Sequence, residues 1–177
     1  MNPVKQKVLV TGASSFVGCH LVRGFSQTSA WEVVPAGSKN SKNYQSHQSR
    51  RVEFGGGGNN WTILNLKDET GIKKFIEKVC PDIWVHHAGY ATNYASPSYD
   101  NKEGYDTNVA PLKYIFESLA QNNCKGVIVT GSSMEYSDTE KMCLESDSCL
   151  PSSPYGQSKL KETLTALELS DKFGIPT

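Results

Sequence analysis

Apolar positions along the chain fall into two alternating rhythms. Val8-Leu9-Val10, after Lys7, is a short continuous apolar run that breaks at Thr11-Gly12. Beyond the break, Phe16, Val17, Leu21, Val22 and Phe25 recur at helical spacing, so the reading is strand, turn, helix. The same alternation predicts strands over 31–36, 61–66, 82–88 and 126–130. It also predicts a helix over 68–79, a long helix ending near Asn122 and a last helix from Pro154. Strands alternating with helices imply right-handed crossovers and a sheet covered on both faces. The predicted fold class is α/β, a doubly wound parallel sheet, in one domain spanning 1–177.

Two segments fit this pattern badly. Pro35 falls in a strand that should be interior, where it would forfeit a ladder hydrogen bond, so a bulge or the strand's end is expected there. The glycine tract over 55–58, followed by Asn59-Asn60, precedes a strand rather than a helix. Its glycines are therefore not aimed at a phosphate from a helix N-terminus, and a floppy connecting loop is expected.

Composition narrows the field. The 177 residues carry 18 Lys+Arg against 18 Asp+Glu, a formal net charge of zero. A chain of this length can bury roughly 70% of its unfolded surface. Neutrality gives no electrostatic footprint for phosphate backbones or anionic lipid, so neither nucleic acid nor a membrane is expected as a partner. No apolar run approaches the roughly 18 residues of a membrane span, and residues 1–7 lack the apolar core of a secretory signal. A cytoplasmic protein is expected. Cys19, Cys80, Cys124, Cys143 and Cys149 are widely spread with no C-x-x-C pair. Neither a metal site nor a disulfide framework is indicated, and reduced, mostly buried thiols are expected.

Thr11-Gly12-Ala13-Ser14-Ser15-Phe16-Val17-Gly18 stands at the first strand-to-helix junction. Glycines there allow a tight turn and close backbone approach to a pyrophosphate, which the free N–H groups and positive dipole end of the helix then hold. Ser15 stands where the common T-G-x-x-G-x-x-G pattern has its middle glycine; its hydroxymethyl group narrows the approach and adds a donor. Gly12, Ser14, Ser15, Phe16, Val17 and Gly18 are the candidate pyrophosphate contacts. An acidic residue that bonds the adenosine ribose belongs about 20 positions further on, at the C-terminal end of the second strand. Glu32 has that spacing but sits at the strand's start. The proper end reads Gly37-Ser38-Lys39, followed by Lys42. Ser38 and Lys39 are therefore the candidate ribose contacts, and without a carboxylate to repel a ribose phosphate NADP is favoured over NAD. A solvated loop carrying two lysines fits the same residues.

A second constellation lies later in the chain. Ser153-Pro154 suits a helix start, with Ser as N-cap and Pro at the first helical position. Tyr155 and Lys159 then share one helix face at i and i+4. A phenol is a poor acid/base at neutral pH, and a nearby ammonium favours its phenolate. With 8 Tyr in the chain such a pair also arises by chance. The third member raises its weight: Gly131-Ser132-Ser133 follows a predicted strand, placing a hydroxyl at the sheet edge where open α/β sheets bind ligands. Serine after a strand is also ordinary turn chemistry.

Together these residues resemble the short-chain dehydrogenase/reductases, specifically the extended branch of nucleotide-sugar epimerases, dehydratases and reductases. The resemblance covers essentially the whole chain. It rests on residues 11–18, on His86-His87-Ala88-Gly89, on Thr107-Asn108-Val109, on Ser132-Ser133-Met134-Glu135-Tyr136 and on Tyr155-Gly156-Gln157-Ser158-Lys159. It implies a Rossmann-type sheet holding NADP or NAD against the glycine turn, Ala88, Gly89, Tyr155 and Lys159. It further implies Tyr155 as acid/base, Lys159 holding the nicotinamide ribose and lowering the phenol's pKa, and Ser132 bonding the reacting oxygen. Asn108 would steady its helix and a proton-relay water; a helix-interior amide bonded only to backbone is the other reading. His86 and His87 are read as filling or flanking the fourth strand rather than titrating, since the sequence shows no partner for them.

Departures from the pattern narrow the reaction. Dehydratases of this branch carry an acidic residue two positions after the catalytic Ser/Thr, where this chain has Met134, with Glu135 one residue on. A thioether cannot exchange a proton, and a one-residue shift in extended chain redirects the side chain. Epimerisation or ketone reduction of a nucleotide-sugar remains. Family members also continue past a stretch like Phe173-Gly174-Ile175-Pro176 into a sixth strand and a substrate lobe, whereas this sequence stops at Thr177. The expectation is dinucleotide binding with poor or no turnover by the chain alone, unless it is a fragment of a longer protein. An apolar sheet edge would be left open, a liability for association, with a homodimer among the partners to expect. A non-catalytic dinucleotide-binding module or sensor is the rival reading.

Overall fold

The computed structural model describes residues 5–56, 60–137 and 142–177. The start of the 1–7 segment and most of the glycine tract's second half lie outside the described residues. Five strands form one parallel sheet: β1 (Gln6–Val10), β2 (Trp31–Gly37), β3 (Thr62–Ile63), β4 (Ile83–His86) and β5 (Gly126–Val129), in the order β3-β2-β1-β4-β5. The helices are α1 (Phe16–Ser26), α2 (Ser46–Phe54), α3 (Glu69–Val79), α4 (Asn101–Gly104), α5 (Leu112–Gln121) and α6 (Pro154–Phe173).

The strands read as continuous apolar runs because both faces are covered. Leu9 and Trp84 point into one core with Ile72, Ile76, Ile115 and Phe116, beneath α3, α5 and α6. Val8, Val10 and Val85 point the other way, onto Val22 of α1. This is the doubly wound, Rossmann-type sheet that the alternation predicted. The chain reverses its winding at β1, which lies between β2 and β4. Such a reversal opens a crevice outside the carboxyl ends of the strands, and ligands bind there.

Helix ends follow their caps. Asp68 caps α3 by accepting from Gly71 N at 3.0 Å, and Ser153 caps α6 by accepting from Gly156 N at 3.0 Å, with Pro154 in the first turn.

Several expectations change. The strand over 61–66 shrinks to two residues, and 82–88 closes at His86. α2 was not foreseen because Val52 is its single buried residue and its sequence carries no apolar stripe. The long helix is broken: Tyr105–Val109 form a π turn, with Ala110 N donating to Tyr105 O at 3.0 Å. Pro111 has no N–H for the carbonyl four residues back, so the helix changes register ahead of it. Pro35 lies inside β2, with neither bulge nor strand end. Ala36 O accepts on the β1 side and Gly37 O on the β3 side, so Pro35, two before Gly37, turns its missing donor toward β3. There β3 starts pairing only at Ala36, and the ladder loses nothing. The cysteines are free but not mostly buried: Cys19 and Cys124 are buried, Cys149 is intermediate, and Cys80 and Cys143 are exposed. No helix among the described residues is long and apolar enough to cross a membrane.

Candidate active site

A cleft of about 380 Å³ opens at the carboxyl ends of β1, β2 and β4, within the size range of small-molecule sites. Gly12, Ser14, Ser15, Ser38, Ala88 and Gly89 line it. Gly12 has φ +67°, and a Cβ there would lie 2.9 Å from both the Cα and the N of Ala88. A Cβ on Gly18 would strike the Gly12 carbonyl. Both glycines are therefore required by the tight turn and by the seating of α1 on β1.

Ser15 replaces the middle glycine without strain, since its φ is −74°. Its hydroxyl caps α1, accepting from Gly18 N at 2.9 Å. The same oxygen lies 2.7 Å from His87 Nε2, and His87 Nδ1 lies 3.0 Å from Thr130 Oγ1. A hydroxyl–imidazole–hydroxyl chain thus spans the ends of β1, β4 and β5. Burial, and after it the charge of Lys159, pushes the His87 pKa down, so the ring stays neutral at neutral pH. Thr11, buried behind it, donates to Val85 O and accepts from His87 N and Ala88 N, which fixes the loop after β4. Sequence reasoning missed Thr11, Thr130 and both partners of His87, because the links join residues more than 40 positions apart.

The remaining candidates divide. The first-turn N–H groups of Phe16 and Val17 have no intrahelical acceptor and face the helix's N-terminal end. The Phe16 ring itself turns away onto His20, at 5.0 Å between centroids. Ser38 lines the cleft, whereas Lys39 does not; Lys39 uses its backbone, accepting from Trp61 Nε1 at 2.8 Å. Asn108 is buried and reaches out of its helix: Oδ1 accepts from Tyr90 N at 2.6 Å, and Nδ2 donates to Ser158 Oγ at 3.2 Å. It pins the loop after Gly89 to α6.

Ser132 and Tyr155 meet. Ser132 starts the turn after β5, accepting from Met134 N at 3.2 Å, and its hydroxyl lies near enough to the Tyr155 phenol to draw the phenol's pKa down. Gly156 permits this approach, since a Cβ there would collide with the Met134 carbonyl. Glu135 folds back to accept from Ser132 N at 2.6 Å and is buried, so its carboxylate holds the turn rather than projecting as a free acid. Tyr94 and Tyr99 stand edge-on to the Tyr155 ring at 5.6 and 5.7 Å.

Lys159 is the surprise. It is 8% exposed, and its ammonium donates to Thr130 O at 2.8 Å and to Glu162 Oε2 at 2.6 Å. Its charge faces Glu162, and the phenol is not eased: burial, then Glu162, pushes the Tyr155 pKa up, with Ser132 opposing. His86, in β4, is fully buried and pushed down to about 3 by burial, Lys159 and His87. Its Nδ1 accepts from Trp84 Nε1 at 3.3 Å, so the neutral ring carries its proton on Nε2. Both histidines fill or flank the fourth strand as expected, but they have partners. Among the described residues no three His, Cys, Asp or Glu side chains gather as a metal site.

The residues fit a dinucleotide: two glycines that a Cβ would block, open first-turn donors and a cleft at the topological switch. Comparison with known proteins agrees. The chain is 28% identical over 166 residues to a UDP-glucose 4-epimerase of Pisum sativum, covering 88% of this chain and 45% of that protein. It is 28% identical over 170 residues to a bifunctional UDP-glucose and UDP-xylose 4-epimerase of Arabidopsis thaliana, covering 90% and 46%. It therefore spans about half the length of these curated relatives. In fold it is similar to the UDP-glucuronic acid 4-epimerase of Bacillus cereus in complex with NAD, with TM-score 0.78 at 20% identity, covering 96% of this chain and 54% of that one. The UDP-glucose 4-epimerase of Brucella ovis in complex with NAD gives TM-score 0.77 at 20% identity, covering 96% and 49%. The model of the NAD dependent epimerase/dehydratase family matches residues 8–177, and the chain belongs to that family.

Proposed function

We propose that this chain is the cofactor-binding part of an NAD(P)-dependent nucleotide-sugar epimerase. The observation that carries the reading is the Ser132 hydroxyl beside the Tyr155 phenol at the same sheet edge as the glycine turn. When bound, the dinucleotide supplies the acceptor and donor of a hydride. Tyr155 is the group that would exchange the proton with a sugar hydroxyl. Ser132 holds that oxygen against Tyr155. Lys159 would hold the ribose with its one uncommitted N–H, and Asn108 keeps the loop after Gly89 in place through Tyr90. UDP-hexoses are the substrates to try first, since the curated relatives are named for them. The rival reading, a dinucleotide-binding module without chemistry, is favoured by the pairing of Lys159 with Glu162 rather than with the phenol.

Calorimetric titration with NAD and with NADP tests the binding claim. Both should bind, and the Gly12→Ala variant should bind at least about tenfold more weakly, because its methyl group meets Ala88 backbone at a strained φ. Ser38 in place of a carboxylate leaves room for a ribose phosphate, so NADP should bind the tighter of the two. Failure of both to bind at millimolar concentration overturns the reading.

A further inference from the structure

A carboxylate buried beneath the Tyr155–Lys159 pair takes no part in the roles above. Glu162 is 0% exposed, one helical turn beyond Lys159 on α6. Its Oε2 accepts from the ammonium, which also donates to the Thr130 carbonyl. Two of the three ammonium protons are thus committed beneath the sheet edge. Among the described residues Glu162 Oε1 has no hydrogen-bond partner, and neither does His86 Nε2, 3.8 Å away. A buried, half-satisfied carboxylate is costly to keep for packing alone.

We propose that Glu162 is a positioning residue of the Tyr155–Lys159 pair: by drawing the ammonium onto itself and Thr130, it decides how much positive charge remains to stabilise the Tyr155 phenolate. The proposal rests on the reading of Tyr155 as the acid/base. The groups facing Glu162 are Lys159 from its own helix, His86 from the end of β4, Glu135 from the turn after β5, and Tyr99 and Tyr155, with His87 lying by Lys159 instead. Both histidines are pushed down and stay neutral. Burial pushes Glu162 up to about 7, against the pull of Lys159 and with a small push from Glu135. Glu162 therefore changes charge near neutrality. Below that point Glu162 is neutral and its charge no longer opposes the phenolate. Above it, Glu162 cancels Lys159 and its own charge opposes the phenolate.

The test is ¹³C NMR of the full chain labelled at Tyr Cζ and Glu Cδ, with the Tyr155 signal identified by its loss in Tyr155→Phe. In the wild type the Tyr155 signal should carry a second inflection at the pH where Glu162 titrates. In Glu162→Gln that inflection should vanish, and the phenolate fraction at a fixed pH below the midpoint should rise roughly tenfold; Glu162→Asp should restore the inflection. A folded Glu162→Gln with the Tyr155 midpoint unmoved overturns the proposal. If that variant does not fold, a wild-type Tyr155 signal with no inflection accompanying Glu162 does the same. None of this needs cofactor. A chain that shows the coupling yet binds neither dinucleotide loses the functional reading alone, and a chain that binds but lacks the coupling loses only this proposal.

Discussion

Lys159→Met should destabilise the fold by about 3 kcal/mol near pH 9 and by little near pH 5. The cause is the carboxylate left behind. Glu162 is fully buried and already pushed up to about 7 while Lys159 is pulling its pKa down. Without that ammonium the folded-state pKa climbs further, away from the ordinary carboxylate value near 4.5 in the unfolded chain. A group whose folded pKa is raised gives its full stability below the unfolded value and loses it as pH rises through the folded value. The deficit relative to wild type therefore opens above pH 7, growing by at most about 1.4 kcal/mol per pH unit until the carboxyl ionises. Urea unfolding at pH 5, 7 and 9 reads it directly. The double variant Lys159→Met/Glu162→Leu should remove the pH dependence, since no charge is left to strand. A deficit equal at all three pH values would mean that Lys159 matters here only through packing.

Tyr155→Phe should lower hydride transfer by about 10² to 10⁴ while leaving dinucleotide affinity unchanged. The ring stays, with its edge contacts to Tyr94 and Tyr99, so packing at the start of α6 is preserved. What disappears is the proton carrier beside Ser132. The assay mixes the chain with NAD and a UDP-hexose and follows the absorbance of reduced cofactor. If the wild-type chain binds NAD but transfers no hydride, the binding-module reading holds for the chain by itself. If transfer is present and Tyr155→Phe leaves it intact, Tyr155 is not the acid/base.

What the sequence revealed and what it hid differ by range. Local patterns carried well: the apolar run at Val8 to Val10, the cap Ser153, and the i, i+4 spacing of Tyr155 and Lys159 each depend on neighbours a few residues away. The parallel sheet followed from the alternation of such segments. The features that stayed hidden are set by distant partners. α2 has no apolar stripe to announce it, and its single buried side chain, Val52, means something only once α1 is beside it. The Ser15–His87–Thr130 chain needs β1, β4 and β5 laid side by side. Glu162 was visible three residues after Lys159, but on a surface helix that spacing is an ordinary exposed ion pair. Its complete burial, and hence its hold on Lys159, comes from the packing of α6 over β4 and β5. For the same reason, cysteine type alone misjudged burial at Cys80 and Cys143.

The central claim is that a dinucleotide lies across the glycine turn and the end of β4. Its most direct test is a titration of ¹⁵N-labelled chain with NAD, followed residue by residue through the backbone amides. The predicted result is saturable shifts at Gly12, Ser14, Ser15, Gly18, Ser38, Ala88 and Gly89, with the outer face of α6 around Leu164 undisturbed. Saturable shifts confined to that outer face, or none anywhere at millimolar NAD, would contradict it.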